Sequence, residues 1–286
     1  MGMGMDNGFY LYALAKSDVP IVDSRHALLG QMGLDSQHLI ERIESGGICA
    51  FASRVVIPGF ETELKEKIKD IEWLERTARR HDDIVRFLSS RWSVVPVRFG
   101  TIMKSAEGLT SFLDQNREQL HELLDELDGC CEMGATICFD KKLITKAMQA
   151  RDRDLQELAA KTETAARGAR YLMNKKFQLL EEEKFNSMVE QFCQAIKGAT
   201  QHTTRKFVCR PLQPDRANST LLKISIASLV PIALQDEFRH RLNRMAEAKS
   251  VEGITVQVTG PWPTYSFSHF AQTLEAAERG SKAYVN

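Results

Sequence analysis

The sequence predicts an α+β protein of two modified ferredoxin-like halves, the second carrying a long coiled-coil helical pair. Three observations lead there. Ile254, Val256 and Val258 alternate with Thr255, Gln257 and Thr259, and a period of two marks a strand with one buried and one wet face. From Glu132 onward the patterns run strand, long helix, strand, strand, helix, strand, which is the split βαβ order. The long helical region, 141–203, contains Leu155, Leu158, Thr162, Ala165, Ala169 and Leu172 at steps of three and four, a coiled-coil seam.

The first half opens on Phe9–Leu14, aromatic and apolar throughout, which reads as a buried strand. Pro20, Gly30 and Gly33 make 15–34 a loop, with room for a short strand at Ile21-Val22. Asp35-Ser36 is placed to cap a helix through Leu39, Ile40 and Ile43 that stops at Gly46-Gly47. Ile48–Ile57 follows as a strand, ended by Pro58-Gly59. The clearest helix covers 61–91, with Leu64, Ile68, Ile71, Leu74, Ala78, His81, Val85 and Leu88 on one stripe. His81 on such a stripe reads as a packed, hydrogen-bonded histidine. Val94–Gly100 is the next strand, and Pro96 within it demands an edge or a bulge. Ser105 caps one further helix, carrying Leu109, Leu113, Leu120, Leu123 and Leu127 to Asp128-Gly129.

In the second half Ala135, Ile137 and Phe139 share one face of a strand over Glu132–Phe139. Asp140 precedes the helical region, whose later apolar set is Phe185, Met188, Phe192, Ile196 and Ala199. A short strand at Lys206–Arg210, a polar loop at Pro211–Asn218 and a strand through Leu222, Ile224 and Ile226 come next. Pro231 starts a helix lined by Leu234, Phe238, Leu242 and Met245. The last strand stops at Gly260-Pro261, and Trp262, Tyr265 and Phe267 fold back from its exit. The expected organisation is a modified ferredoxin-like domain at 1–129, an α+β domain at 130–267 with helices 141–203, and a tail at 268–286. Helices are expected on one face of each sheet.

Composition narrows the function. The chain has 286 residues, 38 basic and 38 acidic side chains and no formal net charge, so broad attraction to nucleic acid or anionic lipid is not expected. Neutrality favours association with other proteins. The six cysteines form no Cys-x-x-Cys pair, which leaves zinc without support and suggests free thiols in a reducing compartment. No apolar run approaches the ~18 residues of a membrane span, and the start has no signal-peptide pattern. A soluble protein inside the cell is the expectation.

Catalytic patterns are not assembled. There is no Gly-rich phosphate loop, and His121-Glu122 lacks a second histidine at metal spacing. Arg239-His240-Arg241 reads as a solvated helix face. Gly47–Ala52 faintly echoes an RNA-binding strand but lacks its basic residue and paired aromatics. One competing reading is an enzyme using Cys209 beside Arg210 with His202; another is a small-ligand sensor built from paired ferredoxin-like domains.

Four segments occur in order: Trp73-Leu-Glu with Ala78-Arg79 and His81; Val95-Pro96-Val97-Arg98-Phe99-Gly100-Thr101; Tyr171-Leu172; and Thr259-Gly260-Pro261-Trp262-Pro263 with Tyr265-Ser-Phe267. Together they resemble the gas vesicle protein GvpF/GvpL family over about residues 9–267. The second and fourth segments are specific as a pair. Departures from the family pattern fall at 224–230 and at Gly134. The resemblance implies a cytoplasmic, gas vesicle-associated accessory protein of assembly. Such a protein binds the hydrophobic shell protein GvpA and other Gvp proteins, without catalysis or a cofactor. It further implies that Trp73, His81, Pro96, Arg98, Phe99, Gly100, Gly260, Pro261, Trp262, Pro263, Tyr265 and Phe267 are structural motif residues.

Overall fold

The computed structural model describes residues 7–19, 32–34, 37–56, 70–215, 221–248 and 252–268. The expectations at Ile21-Val22, Asp35-Ser36, Pro58-Gly59, Leu64 and Ile68, and the tail beyond Ser268, lie outside them. The chain is a mixed α+β protein with two sheets. It divides into two compact units: one takes the described residues up to Cys131 together with Trp262–Ser268, the other is Glu132–Pro261.

The first unit has strands β1 (Asn7–Lys16), β2 (Ile40–Ser45), β3 (Ile48–Val56), β4 (Val95–Pro96) and β5 (Ile102–Met103). Its helices are α1 (Ile71–Ser89), α2 (Ala106–Gln115) and α3 (Arg117–Leu127). The sheet order is β2-β3-β1-β4, with β5 also on β1. β1 runs antiparallel to β3 from Asn7↔Val56 to Lys16↔Ile48, with a bulge between Leu11 and Ala13. Phe9–Ala15 and Ile48–Ser53 are buried without interruption. Unbroken burial requires cover on both faces of the sheet centre, so the expected one-sided cover does not hold in this unit.

The helix expected through Ile40 and Ile43 is a strand. Gly46 and Gly47 both have positive φ, 60° and 79°, and form the two-residue turn that joins paired strands. Ile40 then pairs with Ser53 and Ser45 with Ile48. A Gly-Gly pair ends a helix or turns a hairpin equally well, and the three-residue step from Ile40 to Ile43 favoured the wrong choice. Pro96 lies on the edge strand β4, opposite Ala13, where its missing donor costs the sheet nothing.

α1 begins at Asp70, whose carboxylate accepts from the Glu72 and Trp73 amides at 3.1 and 3.2 Å. It buries Thr77, His81, Ile84, Val85 and Leu88; Ile71, expected on the same stripe, is exposed. Ser105 caps α2 through the Gly108 amide at 3.0 Å. The single helix expected to Asp128 breaks at Asn116, whose side-chain amide donates to the Phe112 carbonyl at 2.8 Å. Asparagine offers the backbone this local alternative. Leu113 and Leu120 stand seven apart, so the apolar pattern passes over the break unchanged.

The second unit has β6 (Cys130–Asp140), β7 (Lys206–Cys209), β8 (Gln213–Pro214), β9 (Leu221–Pro231) and β10 (Ile254–Trp262). Its helices are α4 (Lys141–Arg151), α5 (Arg153–Thr164), α6 (Arg167–Thr200) and α7 (Gln235–Ala248). The sheet order is β10-β6-β9-β7, with β8 on β9. In β6 half-buried and buried residues alternate strictly, the mark of one covered face. Phe139 on that face meets Phe185 and Phe192 of α6 edge-on at 6.4 and 6.1 Å. A short 3-10 turn, Ile232–Leu234, separates Pro231 from α7, so the proline closes β9 and does not start the α-helix directly.

The expected seam through Leu155, Thr162, Ala165 and Leu172 crosses two helices. Ala165 and Ala166 have ψ of 146° and 152°, extended values that end α5 and reverse the chain into α6. Lys184 reaches back to Asp152 and Asp154 at 2.7 and 2.8 Å, while Arg170 donates to the Glu163 carbonyl at 3.1 Å. α5 and α6 therefore run antiparallel as a hairpin. Leu155 and Thr162 are buried, but Leu172 is 66% exposed.

Gly260-Pro261 does not stop the last strand. β10 lies at the sheet edge and runs on to Trp262, with a cis bond between Gly260 and Pro261. Gly260 has φ of 107°, and a Cβ there would stand 2.8 Å from the Glu132 carbonyl oxygen. Alanine at this position meets both a disfavoured backbone and a neighbouring main chain that cannot yield cheaply. Gly260→Ala is expected to lower stability by about 2–4 kcal/mol, read as a reduced urea midpoint with an unchanged m-value.

Candidate functional site

Parts of three motif segments, at His81, Val97–Gly100 and Tyr265, meet in the first unit around Tyr10, a residue of β1 with no exposed surface, while Tyr171 and Leu172 of the remaining segment are exposed on α6. His81 of α1, itself 2% exposed, sits between three oxygens. Its Nε2 lies 3.0 Å from the Val97 carbonyl, which can only accept, so Nε2 carries the proton. Nδ1 then accepts from the Tyr10 hydroxyl at 3.0 Å. The same hydroxyl accepts from the Gly100 amide at 2.9 Å. Tyr265 brings its hydroxyl to 3.4 Å from His81 Nε2. Phe99 closes the group edge-on, 6.3 Å from Tyr10 and 5.7 Å from His81 between ring centres.

Burial sets the electrostatics. It pushes the His81 imidazole down from its ordinary 6.5 to about 4, against the opposing pull of the Val97 carbonyl. The imidazole is neutral at physiological pH. Burial also raises the phenols of Tyr10 and Tyr265 well above the usual tyrosine range. None of the three groups is poised to exchange a proton near neutrality. Their donors and acceptors instead hold β1, α1, the 97–100 turn and the Tyr265 segment together.

The remaining motif residues divide. Pro96, Pro263 and Phe267 are buried. The Trp262 ring lies 4.2 Å from the Arg86 guanidinium carbon, a cation–π contact. Trp73 is half-buried in the first turn of α1 and its carbonyl accepts from Thr77 at 2.7 Å. Arg98 is exposed, and its carbonyl accepts from the Thr101 hydroxyl at 2.8 Å. Pro261 is exposed on β10, outside the Tyr10 group. Tyr10, the hub, was read from sequence only as part of an apolar strand. Two tyrosines at alternate positions of a fully apolar strand were the available signal, because each hydroxyl needs a partner when buried. Tyr12 finds its own in Ser53, at 2.8 Å.

The residues of the competing readings have local partners. His202 pairs with Gln201 at 3.1 Å, while the Cys209 thiol lies against that of Cys193 and 3.7 Å from the Arg210 carbonyl. Burial, then Cys209, raises the Cys193 thiol to about 11. Ile48–Ala52, the RNA-like stretch, is buried. Arg239 is more than a solvated residue: it donates to the Gly260 carbonyl at 2.9 Å and ties α7 to β10. Among the described residues no cluster of three or more His, Cys, Asp or Glu is placed to hold a metal ion. No helix there is long and apolar enough to cross a membrane.

The fold defines a two-sheet α+β protein with a buried hydrogen-bonded network in its first unit. The model of the gas vesicle synthesis protein GvpL/GvpF family matches residues 8–269, and the chain belongs to that family. It is 24% identical over 270 residues to gas vesicle protein L1 of Halobacterium salinarum, covering 92% of this chain and 91% of that one. Gas vesicle protein L of a Streptomyces species is 23% identical, with 94% and 96% covered. The crystal structure of GvpF from Anabaena sp. PCC7120 is similar in fold, with a TM-score of 0.72 at 20% identity, over 92% of this chain and 98% of that one.

Two outcomes test the network. Tyr10→Phe removes a donor from His81 and an acceptor from Gly100, and is expected to cost about 1–3 kcal/mol in denaturant unfolding. The depressed His81 pKa means that the unfolded chain binds the proton first. Stability is complete above pH 6.5 and falls as pH drops through about 4, by on the order of 3 kcal/mol from this residue. Urea midpoints at pH 7 and pH 4 should differ less in His81→Gln than in the parent chain.

Proposed function

We propose that this protein is a non-catalytic accessory factor of gas vesicle assembly that acts in the cytoplasm. It binds the hydrophobic shell protein GvpA and other Gvp proteins, and keeps the shell protein dispersed until it is incorporated. Membership of the GvpL/GvpF family carries this reading. A subunit that builds a gas-filled wall must present apolar surface, and such surface aggregates when left in water. An adaptor can cover it without transforming it. The family motif residues act as packing groups in this reading, so partner recognition belongs to the outer surface. Both sheets follow one strand order, and we read each as a modified split βαβ arrangement carrying that surface.

Co-expression of the full chain with tagged GvpA is the direct experiment. The expected result is co-purification and a larger soluble fraction of GvpA. Equal partition of GvpA into the pellet with and without this chain would remove the reading. Thermal unfolding in the presence of amino acids and nucleotides is expected to show no saturable shift, whereas a saturable one would favour a ligand sensor.

A further inference from the structure

The long helix α6 exposes apolar side chains on a side that it does not turn to α5. Toward α5, its Arg170, Asn174 and Phe177 line a groove with Ala159 and Thr162. At about 100° per residue, Leu172, Lys175 and Leu179 fall on the opposite side. Tyr171, Leu172 and Leu179 are 70, 66 and 64% exposed there. Single exposed apolar residues are ordinary. Here Leu172 and Leu179 stand seven apart, and Gly168, Lys175 and Glu182 fill the steps of four and three between and beside them. The two leucines thus flank Lys175 on a face that α5 does not use.

The charges along this face specify an occupant. Lys175 and Lys176 lie four and three residues before Leu179; Glu182 and Glu183 lie three and four residues after it. The pattern is symmetric in position and opposite in sign. A second α6 laid antiparallel and centred on Leu179 places Lys175 against Glu183 and Lys176 against Glu182, twice over. A parallel arrangement would set like charges side by side.

We propose that a second copy of this chain seats on this face of α6, antiparallel, with the two-fold axis beside Leu179. Such a contact is isologous and closes on itself. Glu182 also pairs with Lys141 of its own chain, so Glu183 supplies the less committed acid. One pair of helical faces falls short of the roughly 1,200 Å² of a stable interface. The association is therefore reversible, concentration-dependent and weakened by salt. It does not depend on the shell-protein reading, and either can fail alone.

Sedimentation velocity of the full chain at low salt, over a rising concentration series, tests the pairing. The parent chain is expected to dimerise. Lys175→Glu with Lys176→Glu, or Glu182→Lys with Glu183→Lys, should weaken the dimer about tenfold, and all four changes together should restore it. Circular dichroism checks that each variant folds. Leu179→Cys in a Cys209→Ser background should cross-link under mild oxidation, whereas Lys161→Cys in the same background should not. A parent chain that stays monomeric throughout overturns the proposal, as does a dimer indifferent to both charge reversals.

Discussion

A hydroxyl or imidazole taken out of water must be given a partner, at a cost of about 1–3 kcal/mol if it is not. The first unit is arranged around that constraint. Tyr10 and His81 are both buried, and each satisfies the other. Their further partners, Val97, Gly100 and Tyr265, come from segments far apart in the chain. Apolar contacts tolerate a shift of register or a change of rotamer. Two bonds to fixed backbone groups do not, so this network sets how α1 and the 97–100 turn lie on β1.

The two sheets show different consequences of burial. In the first, the central strands are buried without alternation, which leaves the sheet centre no free face for a ligand. In the second, β6 alternates cleanly, and one face packs on Phe185 and Phe192 of α6. The same strand order therefore serves a doubly covered sheet in one unit. In the other, a long helix covers β6 and also exposes apolar side chains.

Cores accept extensive apolar exchange when volume and pattern are kept. Residues with a bond to make or a backbone shape to adopt are less free. Gly260, held beside the Glu132 carbonyl, and His81, bonded at both nitrogens, are positions of that kind.

Local signals in the sequence determined a good part of the architecture. Alternation alone placed β6 and β10, and a three-four stripe marked α1. Ser105 and Asp140 each cap the helix that their position indicates. Tertiary structure decided the rest. Gly46-Gly47 turned a hairpin because β3 was there to receive β2. The breaks at Asn116 and Ala165-Ala166 were invisible because apolar spacing continues across them, and β10 passes through Gly260-Pro261 because it lies at an edge. Periodicity reports which side of an element is buried, but not the element that buries it. For that reason Tyr10 and His81 could each be read as packed residues, while their hydrogen bond existed only once β1 and α1 were brought together.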